Sequence, residues 1–294
     1  MNKKALFLFN PQAGKSQVKN NLMGIIDLFV KQEYDVNVHP TQSQGDITRI
    51  LSESASEYDL ILLAGGDGTL NEAVNGLMTV EQRPMIGYIP AGTVNDVASS
   101  LHIPKNIRKA AVKISNGQPY SYDVGAFNQR YFIYTAAFGA FTAASYATPR
   151  NSKKALGRTA YLLEGIKRLS SIKGYRVRIE YDGGCLEDNF LLGMVTNSTS
   201  VGGFKLFDRD RISLNDGLLE ASLIKMPRTP LEFQSLLNAL SSRKADAKTV
   251  TVLTSTSFKI TTTEELAWTL DGEYGGTTTE ADIHVCPSAL SILI

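Results

Sequence analysis

The chain has 294 residues, of which 43% are hydrophobic and 20% are charged, and its formal net charge is +1. This length favours two domains, and the near-neutral charge argues against a nucleic-acid-binding protein, which normally has a basic surface. No apolar run approaches the roughly eighteen residues of a membrane-spanning helix. The apolar run Ala5–Phe9 is too short for a signal peptide. We therefore expect a cytoplasmic protein.

The first part of the chain, to about residue 120, alternates strand and helix patterns. Such alternation predicts a mostly parallel sheet with helices on both faces, in which ligands bind beyond the carboxyl ends of the strands. The predicted strands are Ala5–Phe9, Asp35–His39, Leu60–Ala64 and Met85–Ile89. The predicted helices are Gln17–Lys31, Asp46–Ser54, Leu70–Met78, Val94–Leu101 and Ile107–Ile114.

Short strand patterns separated by turn signals dominate the rest of the chain. The predicted strands are Asp123–Phe127, Tyr131–Phe138, Tyr175–Tyr181, Phe190–Asn197, Leu218–Ile224, Thr249–Thr261 and Ala267–Leu270, with helices at Ala155–Leu169 and Pro230–Leu240. We therefore predict an α/β protein with a parallel-sheet domain (residues 1–122) and a β-rich domain (residues 123–294). A last strand that returns to the first domain is left open.

Gly65-Gly66-Asp67-Gly68-Thr69 follows a buried-strand pattern and precedes a helical one. Its glycines allow the backbone to approach a ligand closely, and a helix N-terminus behind them favours an anion. Asp67, placed in the turn, has the carboxylate through which Mg²⁺ commonly reaches a protein and a bound phosphate. The motif therefore indicates a nucleoside triphosphate site. A tight turn with a Thr69–Glu72 capping box is the alternative.

Two more loops follow predicted strands and carry similar turn chemistry, at 10–16 and 90–96. The first contains Gly14, Lys15 and Ser16, but Phe9 stands where a Walker A loop needs its leading glycine. In the second, Asn95 and Asp96 are placed to contact a ligand or a metal. Either loop by itself is equally explained by helix capping.

Together the motifs Asn10-Pro11 with Gly14-Lys15, Gly65 to Glu72, Pro90-x-Gly92-Thr93-x-Asn95-Asp96 and Asp271-Gly272-Glu273 resemble the diacylglycerol kinase catalytic family. Within that family the chain is most similar to the soluble bacterial lipid kinases, and the resemblance covers essentially its whole length. The Gly-Gly-Asp-Gly-Thr motif alone is less specific, because NAD kinases and some phosphofructokinases also carry it.

The resemblance implies that the first domain binds the nucleotide and that the second is sandwich-like. It places ATP in the cleft between them, with Asp67 near the catalytic Mg²⁺. It implies that Glu273 is the general base and that Asp271 is its partner in metal or base positioning. Without the resemblance, Asp271-Gly272-Glu273 would be read as a hairpin turn. The implied ATP contacts are Asn10, Pro11, Gln12, Ala13, Gly14, Thr41, Gly66, Asp67, Gly68, Thr69, Leu70, Asn71, Glu72 and Thr93.

The family also has a structural Mg²⁺ loop, which corresponds here to residues 213–218. The resemblance implies that Asp216 gives its carboxylate to this metal and that Ser213 and Leu218 give oxygens. The sequence departs from the family just upstream, at Asp210-Arg211, which puts the site in doubt. The chain is shorter than many members, so we expect it to lack a C-terminal helical extension.

We therefore predict an ATP- and Mg²⁺-dependent lipid kinase that phosphorylates a hydroxyl of diacylglycerol or a related lipid while docked reversibly on a membrane. The basic cluster at 149–154 with Arg158 could meet anionic head groups, or could be a solvated helix start. No nucleic-acid partner is expected, and a homodimer is left open. The alternatives are a soluble-acceptor kinase of the NAD kinase type and a non-catalytic protein that binds a nucleotide or lipid.

Overall fold

The structure, a computed structural model, describes residues 3–11, 17–139, 173–201, 204–205, 212–229, 231–236 and 249–294. The predicted helix Ala155–Leu169, the basic cluster at 149–154 with Arg158, and the segment 210–211 lie outside the described residues. So do Gln12, Ala13 and Gly14 of the predicted ATP contacts.

The N-terminal region is a parallel sheet with the strand order β4-β3-β1-β2. Its central strand β3 is buried along its whole length, as expected where helices cover both faces of a sheet. The parallel-sheet prediction is therefore confirmed. The strands are β1 (Lys3–Phe9), β2 (Tyr34–Pro40), β3 (Leu60–Gly65) and β4 (Met85–Pro90). The helices are α1 (Gln17–Val30), α2 (Asp46–Ser54), α3 (Asp67–Leu77), α4 (Asp96–Ser100) and α5 (Ile107–Ser115), with a 3₁₀ turn at Ala55–Glu57.

The remainder is rich in antiparallel strands, which confirms the predicted change of fold class. They run in the order β13-β12-β9-β7-β14-β15, with β5, β6 and β8 pairing beside this path. Residues 231–236 form a helical turn. The strands are β5 (Pro119–Phe127), β6 (Arg130–Phe132), β7 (Thr135–Gly139), β8 (Tyr175–Tyr181), β9 (Gly184–Thr196), β10 (Ser200–Val201), β11 (Phe204–Lys205), β12 (Leu219–Lys225), β13 (Val250–Ser255), β14 (Ser257–Leu270) and β15 (Glu273–Leu293).

Strand β15 joins the two regions. Its first half pairs antiparallel with β14, and near its end Ile292 pairs in parallel with Ile86 of β4. It also pairs antiparallel with β5, the strand that contains the predicted boundary at 122–123. The carboxyl end of the parallel sheet and the β14–β15 hairpin are therefore parts of one continuous sheet.

Two large buried cores support these regions, and a smaller third cluster contains Leu191, Ile224, Leu236 and Val250. One fills the α/β region and includes Phe7 and Tyr88, and the other lies within the antiparallel strands. In the second core the Trp268 ring lies 4.9 Å from the Phe127 ring and 5.0 Å from the Phe138 ring, measured between centroids. Phe138 therefore belongs to the protein core. No helix within the described residues is long and apolar enough to cross a membrane.

Local predictions were wrong at several places. The predicted strand Thr249–Thr261 is divided between β13 and β14, and β14 continues through the predicted strand Ala267–Leu270. No range was predicted for β15. Helix α3 begins at Asp67 and not at Leu70, so Asp67 lies in the first helical turn. Its N-cap is Gly66 and no side chain caps it, so the Thr69–Glu72 capping box is not formed. The predicted strand Tyr131–Phe138 is divided into β6 and β7, and helix α4 is shorter than predicted.

Candidate active site

The carboxyl ends of β1, β3 and β4 lie side by side at one edge of the parallel sheet. The Asn10 amide donates to the Ala64 carbonyl oxygen at 3.2 Å, and the Ala91 amide donates to the Gly65 carbonyl oxygen at 2.7 Å. The Thr41 amide donates to the carbonyl oxygen of the last residue of β1 at 2.9 Å. Among the predicted ATP contacts, this edge carries Asn10, Pro11, Thr41, Gly66 and Thr93.

Glycines allow the loops after β3 and β4 to touch through their backbones. A Cβ atom at Gly92 would lie 2.6 Å from the Cα atom of Gly66, and one at Gly65 would lie 2.5 Å from the Cβ atom of Thr69. Such distances are too short for any side chain at these positions. A Cβ atom at Gly68, by contrast, would meet no protein atom within 4 Å. The first turn of α3 therefore faces open space into which a ligand could approach.

Asn95 holds the loop after β4 in shape. It adopts a left-handed conformation with φ of 58° and its side chain is buried. Its Oδ1 accepts from the Gly92 amide at 2.9 Å, and its Nδ2 donates to the Gly92 carbonyl oxygen at 3.0 Å. Asparagine tolerates this conformation better than most residues. The sequence analysis placed Asn95 as a possible ligand or metal contact, whereas its side chain is engaged with the Gly92 backbone and shapes the loop.

Asp67, the first residue of α3, is directed at the start of α4. Its carboxylate accepts from the backbone amides of Asp96 and Val97, the latter at 3.4 Å. Burial, and next the negative charge of Asp96, raise the pKa of Asp67 to about 6. The carboxyl groups of Asp67 and Asp96 therefore lie close together at the carboxyl-terminal edge of the parallel sheet.

Asp96 is the second carboxyl of this pair and is only 1% exposed. Its Oδ1 accepts from the Ser200 hydroxyl at 2.7 Å, which connects the site to β10 in the antiparallel region. Two carboxylates beside backbone amides form the oxygen donor set that Mg²⁺ prefers, and a divalent cation would relieve their mutual repulsion. Asp67 and Asp96 therefore fit the metal that accompanies a nucleoside triphosphate.

Asp271 is buried in the β14–β15 turn, and its carboxylate has four donors. Oδ1 accepts from the amides of Tyr134 and Thr135 at 3.0 Å each, and Oδ2 accepts from the Ile133 amide at 2.8 Å and from Asn71 Nδ2 at 2.7 Å. Burial raises its pKa to about 6 although these hydrogen bonds lower it. With every acceptor position engaged, this carboxylate is suited to positioning the turn and not to binding a metal.

Helix α3 is attached to the antiparallel region through one of its faces. Besides its bond to Asp271, Asn71 Nδ2 donates to the Tyr131 carbonyl oxygen at 3.3 Å. Asn75, one helical turn later, donates to the same oxygen at 3.1 Å and accepts from the Tyr131 amide at 3.1 Å. These bonds fix the helix that begins at Asp67 against the turn that precedes Glu273. Asn75 and Tyr131 were not predicted.

Glu273 and Glu72 both lie near this junction but are held differently. Glu273 is the first residue of β15 and its side chain is exposed. The carboxylate of Glu72 accepts from the amides of Gly45 and Ile47 at the start of α2. Burial raises the pKa of Glu72, and the charge of Glu273 adds to this effect. Glu72 therefore supports the loop after β2, whereas Glu273 is accessible to a substrate.

The predicted structural metal loop, residues 213–218, lies just before β12. The Leu218 amide donates to Asp216 Oδ1 at 3.1 Å, and the Ser213 hydroxyl donates to the Asn215 side chain at 3.0 Å. The Gly217 amide donates to Asp123 Oδ2 at 2.7 Å. No group of three Asp, Glu, His or Cys side chains suited to a metal occurs among the described residues. Any cation here would depend on a carboxylate together with carbonyl, hydroxyl and water oxygens.

Comparison with known proteins agrees with this geometry. Residues 4–127 match the family described as "Diacylglycerol kinase catalytic domain", and residues 137–294 match the "YegS C-terminal NAD kinase beta sandwich-like domain". The chain is 37% identical over 276 residues to a diacylglycerol kinase of Bacillus subtilis, covering 93% of this chain and 91% of that protein.

The chain belongs to the diacylglycerol kinase family. It is also 37% identical to a diacylglycerol kinase of Staphylococcus aureus, over 94% of this chain and 88% of the other. The crystal structure of a diacylglycerol kinase from Bacillus anthracis superimposes with a TM-score of 0.83 and 28% identity, covering 99% of this chain and 97% of the other. As a member of this family the protein is a lipid kinase, a phosphotransferase with an alcohol group as acceptor.

Proposed function

We propose that the protein transfers the γ-phosphoryl group of ATP to a hydroxyl of diacylglycerol or a closely related lipid, in a reaction that requires Mg²⁺. The lipid would be reached at a membrane surface from the cytoplasm. The relatives named above are diacylglycerol kinases, and this supports the choice of acceptor.

One observation carries the proposal: the contact of Asn71 with Asp271. At one end of this connection α3 begins with Asp67 beside the glycine loops, and at the other end the turn leads into Glu273. A site for phosphates and an exposed carboxylate are thereby fixed relative to each other, although they are about two hundred residues apart in sequence. Phosphoryl transfer depends mainly on such positioning and on charge neutralisation.

In this proposal the backbone amides of the loops after β1, β3 and β4 bind the phosphates of ATP. Asp67 and Asp96 hold Mg²⁺, which when bound neutralises developing charge on the phosphate oxygens. The open space beside Gly68 supports an approach of the phosphates to the first turn of α3. The amide contacts of Glu72 support an indirect role for that residue, through the position of the loop that contains Thr41 and Gly45.

Glu273 is proposed to accept the proton of the lipid hydroxyl. As that proton leaves, the hydroxyl oxygen forms a bond to the γ-phosphorus, and the bond from the γ-phosphorus to the bridging oxygen breaks with its electron pair leaving on ADP. The exposure of Glu273 lets it return the proton to water after the transfer. Asp271 would hold the turn in the geometry that this step needs. The loop at Ser213, Asp216 and Leu218 is proposed to bind a second, structural cation.

The test is phosphate transfer from labelled ATP with Mg²⁺ to a panel of acceptors. The panel contains diacylglycerol in mixed micelles, monoacylglycerol, a sphingoid lipid and NAD. We expect label in the phosphate ester of diacylglycerol, and none in NAD. Label in NAD alone would replace the proposal with a soluble-acceptor kinase. Retained ATP binding without label in any acceptor would indicate a non-catalytic protein.

A further inference from the structure

Glu220 is a buried acidic residue for which the proposed reaction has no use. It is the second residue of β12 and is only 7% exposed. It pairs with Thr196 of β9 on one side and with Thr254 of β13 on the other. Glutamate is almost never buried in the middle of a sheet unless a partner compensates it.

The described residues do not provide that partner. Oε2 of Glu220 is buried and makes no hydrogen bond there. The carboxyl group does accept from the amide of its own residue. Buried polar atoms almost always have a partner, which can be an ion or an ordered water where the protein supplies none.

The charged group that acts on Glu220 is Asp216, which has the same sign. Asp216 lies in the loop that leads directly into β12, and its negative charge acts on the Glu220 carboxyl group. Two carboxyl groups therefore approach each other at the beginning of β12, and neither can neutralise the other. A cation between them would satisfy both, and two carboxylates with water are sufficient for Mg²⁺.

The loop before β12 is built to keep these groups in place. The Leu218 amide donates to Asp216 Oδ1, and the Gly217 amide donates to Asp123 Oδ2. Asp123 is itself buried, and its backbone amide donates to the Leu214 carbonyl oxygen at 2.9 Å. Asp123 therefore anchors the loop at Leu214 and at Gly217, directly before the strand that contains Glu220.

We propose that Glu220 is a further acidic residue of the cation site at residues 213–218, and that a divalent cation of the Mg²⁺ class, with its bound water, occupies the space between Glu220 and Asp216. This inference rests on the proposed structural metal site in that loop. It assigns the site a residue that neither the motif nor the spacing in the sequence indicates.

The position of Glu220 in the sheet connects this cation site structurally to the turn that precedes Glu273. Thr196, its partner on β9, pairs in turn with Thr135 of β7. The carbonyl oxygen of Thr135 accepts from the Asp271 amide at 2.8 Å. Glu220 and the turn before Glu273 thus lie at one level of the sheet, three hydrogen-bonded steps apart. A cation that orders the start of β12 would also order the strand that supports Asp271.

The test is thermal unfolding of the full chain without nucleotide, in EDTA and across a millimolar Mg²⁺ titration. The variants are Glu220→Gln, Asp216→Asn and, as a control, Glu187→Gln. Glu187 lies exposed on β9 and pairs with Arg176, so its variant makes the same charge change in the same sheet, away from the loop.

We expect Mg²⁺ to raise the melting temperature of the wild type and of Glu187→Gln equally. Glu220→Gln should melt higher than the wild type in EDTA, because it no longer buries an uncompensated carboxyl group. Its apparent Mg²⁺ affinity should fall by about tenfold or more, as is usual when a group that supports a metal site is removed. Glu220→Asp, which keeps the charge on a shorter side chain, should retain more of the response than Glu220→Gln.

The outcomes distinguish the proposed cation site at residues 213–218 from the proposed role of Glu220 in that site. A Mg²⁺ response of unchanged size and affinity in Asp216→Asn would come from Asp67 and Asp96 and not from the loop at residues 213–218. The loop site would then be removed, and this inference would fall with it. If Asp216→Asn loses the rise in melting temperature with Mg²⁺ but Glu220→Gln keeps the wild-type Mg²⁺ affinity, the loop site stands and only the role of Glu220 is overturned. The role of Glu220 is also overturned if Glu220→Gln and Glu220→Asp both respond to Mg²⁺ in the same way as Glu187→Gln. Because this readout needs neither ATP nor lipid, it stands even if no lipid is phosphorylated.

Discussion

Replacement of Asp67 by asparagine should stabilise the protein while it abolishes turnover. The pKa of Asp67 rises from 3.8 to about 6, mainly through burial. Since a tenfold change in an equilibrium is about 1.4 kcal/mol, ionising this carboxyl in the folded state costs up to about 3 kcal/mol. The cost is absent below the unfolded pKa of 3.8, develops as the pH rises from there to about 6, and is constant above that.

Asparagine has nearly the same shape and carries no charge, so it removes this cost. Its oxygen can still accept from the Val97 amide. At about pH 8 we expect a free energy of unfolding that is higher by about 1 to 3 kcal/mol, measured by urea denaturation in EDTA. Turnover of labelled ATP with lipid should fall at least about a hundredfold, because a carboxylate for Mg²⁺ is lost.

Asp271→Asn is the matched comparison, because burial raises its pKa to about 6 as well. An amide nitrogen there would face two of the four donors, and each unpaired donor costs roughly 1–3 kcal/mol. We therefore expect Asp271→Asn to be less stable than Asp67→Asn at the same pH. A destabilised Asp67→Asn protein, or equal stability of the two variants, would refute the reasoning about donors and charge.

Three further changes test other parts of the site. Glu273→Gln should lower the rate by about a hundredfold or more while ATP binding persists, and a rate near that of the wild type would remove it as the base. Gly92→Ala should unfold or lose ATP binding, because its Cβ atom would lie 2.6 Å from the Gly66 backbone. Gly68→Ala, which meets no protein atom, should keep its thermal stability within a few degrees but raise the KM for ATP; an unchanged KM would place the phosphates elsewhere. Asn75→Ala should reduce kcat more than ATP affinity, and an unaffected kcat would show that the attachment of α3 to Tyr131 is dispensable.

Strong periodic patterns made much of the fold predictable. The run Leu60–Ala64 has the length and apolar character of a central parallel strand, and it is one. The start of α3 was mispredicted because Gly66 and Gly68 disfavour a helix interior. A helix N-terminus tolerates glycine and favours an acidic residue in its first turn, and this is the arrangement that the structure has at Asp67.

The candidate site was predictable where its chemistry is local and not where it depends on distant contacts. The glycine loops follow strands, so the edge at which they meet could be inferred. The bond from Asn71 to Asp271 joins residues 200 positions apart, and no local pattern indicates it. Asn75 offered a weak signal, because it stands one helical turn after Asn71. No sequence signal indicated that Glu220 is buried beside a candidate site, because a single acidic residue in a strand usually faces solvent.

A crystal structure with a non-hydrolysable ATP analogue and Mg²⁺ would test the central claim most directly. The account predicts the polyphosphate against the backbone of Gly66, Gly68 and Gly92, the metal between it and Asp67, and the Glu273 carboxylate facing the terminal phosphate. A polyphosphate bound away from these glycines, or a Glu273 side chain directed away from the nucleotide in the closed state, would contradict it.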